Sequence, residues 1–440
     1  MWTVIGVVLF ALGLLFSIAW HELGHLTFAK LFNVRTTQYM VGFGRTIWSR
    51  RRGETEYGIK AVPLGGYIRM VGMVPPDPKT GRQRLTTTAS GPFGFARQII
   101  EDTRAGDRAQ VLTTDDGRQF YQLHPFKRIV IMAAGPLMNL ILAVGIFAVI
   151  MVGIGIPTPN TTVASVSACV VPASAPAAEQ NKTECPQAEW TPARLAGLQA
   201  GDTITSFNGT AITGWDQLTT LIRAAAGTTA TITVDRNGAP VTERVPIVQT
   251  ERPVYDDAGK QIGTAPAGFL GVSAQQEYVT QPIGTAIERT GQFIGAAAHA
   301  VVTIPARIPA LWNAIFSGEE RAADSPVGIV GAGRLSGEIL ELDTTAKDKL
   351  LLFLQLLAGF NMSLFLLNML PLLPLDGGHI FGAVVEWIRK GWAKLRGKAD
   401  PGPFDVAKLM PVAYVVAMLF IGLTLLTLVA DVVNPVKLFG

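Results

Sequence analysis

Charged side chains are scarce in this chain. Asp, Glu, Lys and Arg make up 16% of its 440 residues, while 49% are hydrophobic. Ordinary soluble domains carry about a quarter charged residues, so the shortage points to lipid rather than water as the surrounding medium. The net charge is only +4, which argues against a dedicated nucleic-acid binder. Lys and Arg are also missing ahead of the first apolar run, and no small-residue cleavage site follows it. That argues against a cleaved signal peptide, and the segment reads as a retained helix. The length allows roughly three domains.

Four stretches lack Asp, Glu, Lys and Arg for long enough to cross a bilayer, which takes about 20 apolar residues. They run over 2–20, 129–154, 350–375 and 409–430, the first continuing past a polar cluster at 21–25. Residues 31–128 carry 16 Lys and Arg against 8 acids, and 378–408 carry 6 against 3; residues 153–345 carry 11 against 18. Lys and Arg gather on the cytoplasmic side, which puts 153–345 and both termini outside. The two cysteines, Cys169 and Cys185, both fall in that outer region, where a pair reads as a disulfide clamping a short loop.

Residues 33–74 read as β-structure, since short Val, Ile, Tyr and Thr runs alternate with glycines at 42, 44, 53, 65 and 66. A polar, Pro/Gly-punctuated cytoplasmic loop with one short helix near 95–104 follows. In the outer region, 201–207 reads as a strand closed by Asn208-Gly209, and 215–226 as a helix with Leu218, Leu221 and Ile222 inward. Residues 229–235 and 241–248 alternate as strands joined through Asn237-Gly238, a strong hairpin signal. Residues 290–304 are uncharged, but Gln292, His299 and the stops at Pro305 and Pro309 favour an amphipathic helix at the outer interface over a fifth span.

The chemistry concentrates in two places. His21-Glu22-Leu23-Gly24-His25 has the HExxH pattern, and two of the five histidines fall in it. Residues four apart share a helix face, so both imidazoles can reach one Zn2+ ion. Glu22 then sits where it can take a proton from the attacking water and hand it to the leaving amine. Polar side chains at the end of an apolar helix are costly in lipid and need a partner. A catalytic zinc takes three protein ligands, and nothing acidic follows His25 until Glu54. Asp376, in Asn368-Met-Leu-Pro-Leu-Leu-Pro-Leu-Asp376-Gly-Gly-His379, lies at the cytoplasmic end of the third span and at the same membrane face. Pro371, Pro374 and Gly377-Gly378 give it irregular backbone, which membrane depth tolerates only around a buried or wet cavity. His379 is the rival ligand, to which a capping or supporting role is assigned.

The phrase Ala196-Gly197-Leu198-Gln199-Ala200-Gly201-Asp202, with the strand, Asn-Gly and helix after it, resembles a permuted bacterial PDZ domain. HELGH, Ala61-Val62-Pro63-Leu64-Gly65-Gly66-Tyr67, Gly135-Pro136-Leu137-Met138-Asn139 and NMLPLLPLDGG together resemble the site-2 protease family, in its bacterial regulator-of-sigma-E protease branch. The chain departs from the usual N-x-x-P-x-P-x-L-D-G spacing, and it carries one PDZ module where many relatives carry two. The resemblance implies an α-helical integral membrane protein of four transmembrane helices, with a membrane-associated β region and an extracytoplasmic α/β PDZ domain. It divides the chain into a first helix (1–32), the β region (33–74), a cytoplasmic loop (75–127) and a second helix (128–155). The PDZ domain with its Cys-bounded insertion (160–252) and an outer linker with the amphipathic helix (253–345) follow. The third helix (346–376), a second cytoplasmic loop (377–408) and the fourth helix (409–433) complete it.

The resemblance further implies an intramembrane zinc endopeptidase of the bacterial inner membrane, with its active site near the cytoplasmic face. Its substrates would be single-span membrane proteins, such as anti-sigma factors or remnant signal peptides, first cut outside by an upstream site-1 protease. Gly42-Phe43-Gly44 would pair with the unwound substrate as an added strand, and Asn368 would hold its backbone. Asn139 reads as a hydrogen bond between helices. Two other functions fit parts of the sequence: a membrane zincin that digests soluble chains, and a PDZ-bearing scaffold with a vestigial metal site. The first expects a Glu ligand and no outer PDZ, and the second has no use for Glu22.

Overall fold

The computed structural model describes residues 2–76, 103, 107, 111–175, 184–255, 261–319, 321–322 and 325–436. In chain order, helix α1 (Trp2–Leu31) leads into strands β1 (Thr36–Arg52) and β2 (Thr55–Met70) and helix α2 (Pro125–Ala148). Next come β3 (Ile156–Val166), the one-turn α3 (Pro192–Leu195), β4 (Thr203–Phe207), β5 (Thr210–Ala211) and α4 (Trp215–Ala224). Strands β6 (Thr229–Arg236), β7 (Ala239–Pro246), β8 (Val248–Tyr255), β9 (Gln261–Phe269) and β10 (Val272–Val279) follow. Helices α5 (Ile283–Phe316), α6 (Ile329–Glu341), α7 (Ala346–Asn368), α8 (Asp376–Leu395) and α9 (Met410–Val433) close the chain. It divides into two compact units, one of 1–150 with 283–440 and one of 151–282. The short helix expected near 95–104 falls, but for Thr103, outside the described residues.

Among the described residues, five helices are long and apolar enough to cross a membrane by length and composition, and all five begin in the first unit. α2 runs against α1: Gly24 abuts the Ala134 carbonyl, and Trp20 Nε1 donates to Met138 O at 3.0 Å. α7 runs with α1, since Leu357 sits at Gly13 and Asn361 Nδ2 donates to Ser17 Oγ at 2.9 Å. α9 starts beside Leu373 and ends at Asp431, whose carboxylate accepts from the Gly328 and Gly331 N–H groups at the start of α6. The far end of α6 packs on Gly6 and Thr3 of α1. α9 is therefore antiparallel to α1.

The fifth long helix, α5, is a different case. Phe293 stacks on Phe147 near the end of α2 at 5.2 Å, and the Ala314 carbonyl accepts from Asn434 just past the end of α9 at 2.9 Å. Both points lie at the end of the bundle where α1 begins. Pro305 and Pro309, expected to stop this helix, lie inside its 34 residues. A proline removes one ladder bond and kinks a helix. The helix nevertheless continues through both prolines.

Strands β1 and β2 curl into a four-row sheet. Residues 38–41 lie between 66–69 and 56–59, while 46–52 pairs with 55–60. Among the described strands, 66–69 is an outer edge. The sheet is tied to α1 by the Tyr39 hydroxyl, which donates to Ala19 O at 2.7 Å.

The second unit has its own apolar core, built around Ile204, Phe207, Leu218, Ile222, Ile232 and Val234. The hairpin turns at Asn208-Gly209 and Asn237-Gly238 fall as the sequence indicated, all four residues with positive φ. Its sheet order is β10-β3-β4-β6-β7. The unit thus extends to 282, past the boundary expected at 252. β10 pairs with β3, more than a hundred residues earlier, and nothing local in the sequence announces that partner. The Cys169 and Cys185 sulfurs are bonded, at 2.05 Å, in this unit.

Candidate metal site

α1 is helical through residues 21–25, so the two imidazoles stack on one face with ring centroids 4.9 Å apart. Both are buried, at 9% and 4% relative exposure. His25 Nδ1 lies 2.8 Å from the Ile131 carbonyl of α2 and donates to it, which fixes the tautomer and leaves Nε2 facing the site. Two glycines make room. A Cβ on Gly135 would strike the His25 imidazole, and one on Gly24 would strike Ala134.

The third donor arrives from the far end of the chain. After Asn368, residues 369–375 form a tight irregular turn, and Asp376 opens α8 rather than closing the third span as expected. Cβ atoms on Gly377 and Gly378 would collide with Leu370 and Leu373 backbone, so the double glycine is what lets the turn fold back on itself. Asp376 Oδ2 lies 3.2 Å from His21 Nε2 and 3.4 Å from His25 Nε2, and the two Nε2 atoms are 3.2 Å apart. Ligands held about 2.0–2.1 Å from a tetrahedral zinc ion are separated by about 3.3 Å. The donor triangle therefore has the size and composition of a two-histidine, one-carboxylate metal site. His21, His25 and Asp376 are the described residues whose donor atoms cluster in this way. His379 lines the same cavity but stays outside the triangle, and its buried Nδ1 has no hydrogen-bond partner.

The cavity has a volume of about 410 Å³. Glu22, Asn368 and residues 65–68 of β2 line it with the donors. Glu22 lies directly beneath the sheet edge, because a Cβ on Gly66 would come within 2.9 Å of its Cγ. Asn368 donates to Leu364 O at 3.0 Å. Gly42-Phe43-Gly44, expected at the substrate path, is not part of the lining. Phe43 instead pairs with Val62 and stacks on Tyr67 at 6.1 Å. The strand that borders the site is 65–68, already visible in the sequence as the Gly65-Gly66-Tyr67 phrase. Glu54, the acid nearest in sequence, is held by Arg118 at 2.8 Å and plays no part in the donor set.

Asn139 emerges here with a definite place. Fully buried on α2, it lies 3.2 Å from His21 Nδ1. With Nε2 turned to the metal side, Nδ1 carries the proton and needs an acceptor. The Asn139 Oδ1, otherwise without a partner, supplies it once the amide is turned to match the network. The Gly135-Pro136-Leu137-Met138-Asn139 phrase thus serves both imidazoles.

A sequence model of the family described as Peptidase family M50 matches residues 9–399. Zinc metalloprotease Rip1 of Mycobacterium bovis (strain BCG / Pasteur 1173P2) is 35% identical over 444 residues, covering 99% of this chain and 99% of its own. Zinc metalloprotease RasP of Shouchella clausii is 26% identical over 84% of this chain and 87% of its own. The donor triangle and the match along nearly the whole chain agree, and the chain belongs to peptidase family M50, the site-2 proteases.

Proposed function

We propose that this chain is a zinc-dependent intramembrane endopeptidase that cuts single-span membrane proteins after a first cut on the outer side. One observation carries the reading. Two segments some 350 residues apart bring His21, His25 and Asp376 within 3.4 Å of one another, with Glu22 beside them under a sheet edge. Zinc held by these three side chains supplies Lewis acidity to a scissile carbonyl and to the attacking water. Glu22 is the general base, and it returns the proton to the leaving nitrogen. Its burial at 8% exposure keeps that proton from bulk solvent.

The sheet edge at 66–69 takes the role first assigned to 42–44. A transmembrane helix has no free backbone donors, so it must unwind before a bond can be reached, and an open strand edge offers the unwound segment new partners. Asn368, on the opposite wall of the cavity, holds the substrate backbone. Asn139 and the Ile131 carbonyl hold the two imidazoles in the tautomer that leaves both Nε2 atoms free.

In the bilayer, α1, α2, α7 and α9 are the four crossings, running alternately in and out. α5 lies along the outer interface, since Phe293 and Ala314 both meet the end of the bundle where α1 begins. The metal donors then lie near the cytoplasmic face of a bacterial inner membrane, with both termini and the 151–282 unit outside. That unit acts as a PDZ module that meets the substrate before the site does. Anti-sigma factors and remnant signal peptides, trimmed by an upstream protease, have the required form.

The deciding experiment is cleavage, in detergent, of a single-span reporter lacking its outer domain, with bound zinc measured in the same samples. Wild type should cut it, while Glu22→Gln should keep its zinc and lose at least about a hundredfold in rate. Equal rates for the two proteins would overturn the assignment of Glu22.

A further inference from the structure

α8 begins with the metal donor Asp376 and is not among the helices able to cross a membrane. Its inward face carries Gly382, Ala383 and Glu386, all buried. Its outward face is apolar. Phe381, Ile388 and Leu395 recur every seven residues with Trp392 beside them, at 49%, 65%, 84% and 57% exposure. Phe126, at the start of α2, extends this surface by packing edge-on against Trp387 at 6.0 Å.

The charge on this helix is sorted as sharply. Its one acid beyond Asp376 is Glu386, which is taken up inside by Arg128, Lys390 and the Phe404 N–H. Arg389 lies beside the apolar stripe, Lys394 lies on the side of α8 away from it, and Arg396 and Lys398 follow just past the helix end; all four are exposed, and the Arg396 guanidinium sits 4.4 Å over the Trp392 ring. An apolar stripe edged by Trp and by uncompensated cations is the pattern of a helix lying in a membrane interface. Uncompensated cations in that position select anionic headgroups.

We infer that the outward face of α8 docks on an anionic lipid surface, and that this docking holds the helix that carries Asp376. The helix is clamped on its other side by the buried Arg128–Glu386 pair. Lipid and protein therefore fix it from opposite faces, and the turn at 369–375 is the part left to adjust.

The test uses the full chain carrying Leu395→Cys, labelled with an environment-sensitive fluorophore, the native cysteines being bonded to each other. It is reconstituted in vesicles of zwitterionic lipid alone, or with roughly a third anionic lipid, each containing brominated acyl chains. Emission is read without any substrate, so failure here is separable from failure of the peptidase reading. Quenching should be at least about twofold stronger in the anionic vesicles. Arg389→Gln, Lys394→Gln, Arg396→Gln and Lys398→Gln combined should remove that difference while leaving detergent activity unchanged. Equal quenching of the wild-type helix in both vesicle types would overturn the inference, as would an undiminished difference in the fourfold variant.

Discussion

The two units of this chain sort their residues by opposite rules. In the 151–282 unit, Ile204, Phe207, Leu218 and Ile232 are at most 2% exposed, and Thr and charged residues cover the outside. In the other unit, Val415, Met418, Leu419 and Val432 of α9 are more than 60% exposed, while Asn139, Asn361, Ser17, Arg128, Glu386, Arg321 and Asp431 are buried. A soluble core hides apolar surface from water. A membrane bundle has no such force between its helices and packs through small and polar residues instead. The same alphabet gives two solutions because the solvents differ, and the site sits where polar side chains are already gathered inward.

If the inward polar groups of the first unit are functional, the donor triangle should be its most sensitive point. Asp376→Asn should remove the bound zinc and lower cleavage by more than the 10–100-fold typical for loss of a supporting group. His379→Asn should leave zinc content unchanged. Metal analysis of both variants checks the pair, and retained zinc in the first would break the triangle. Next in size is the buried ion pair. Arg128→Met leaves Glu386 buried without its main partner and should cost about 3–5 kcal/mol in detergent unfolding. Adding Glu386→Met should recover most of that, because the pair as a whole contributes little net stability.

A single substitution type placed on both outer surfaces sharpens the contrast. Leu419→Asp, at mid-helix in α9, should destabilise the chain in lipid by about 3 kcal/mol. Leu195→Asp, at a half-exposed position of the other unit, should stay within about 0.5 kcal/mol. Equal effects would mean that the two surfaces face the same solvent.

How much of this was legible depended on whether the signal was local. HExxH needs only the 3.6-residue period, and Asp376 was found because its own segment is chemically odd: two prolines, two glycines and an acid at the end of an apolar run. The turns at Asn208-Gly209 and Asn237-Gly238 carry their geometry in their own side chains. What escaped was pairing at a distance. A lone strand does not say what it will pair with, so β10 reads as part of a linker from the sequence, and the cavity is lined by 65–68 where Gly42-Phe43-Gly44 is not part of the lining. Pro305 and Pro309 read as stops from the sequence, whereas helix α5 runs through both.

The smallest effect tests the second unit as a water-solvated domain with ordinary electrostatics. Asp202 is buried, accepts from Arg236 Nε and Nη2 at 2.7 Å each, and also takes the Gln199 N–H. The Arg236 hydrogen bonds hold its carboxyl below the usual carboxylate value, outweighing the desolvation that pushes the other way. A carboxylate bound more tightly in the folded state contributes stability that is complete at neutral pH, above its unfolded value of about 3.9. That contribution fades as the pH falls through the lower folded value. Amide exchange at Ile204 and Val234, corrected for intrinsic rates, should therefore speed up below about pH 4 in the wild type. In Asp202→Asn, exchange should already be faster at pH 7 and should lack that added acid-dependent step. An unchanged acid profile in the variant would mean that other carboxylates control the unit, and that the Arg236 pair only decorates its surface.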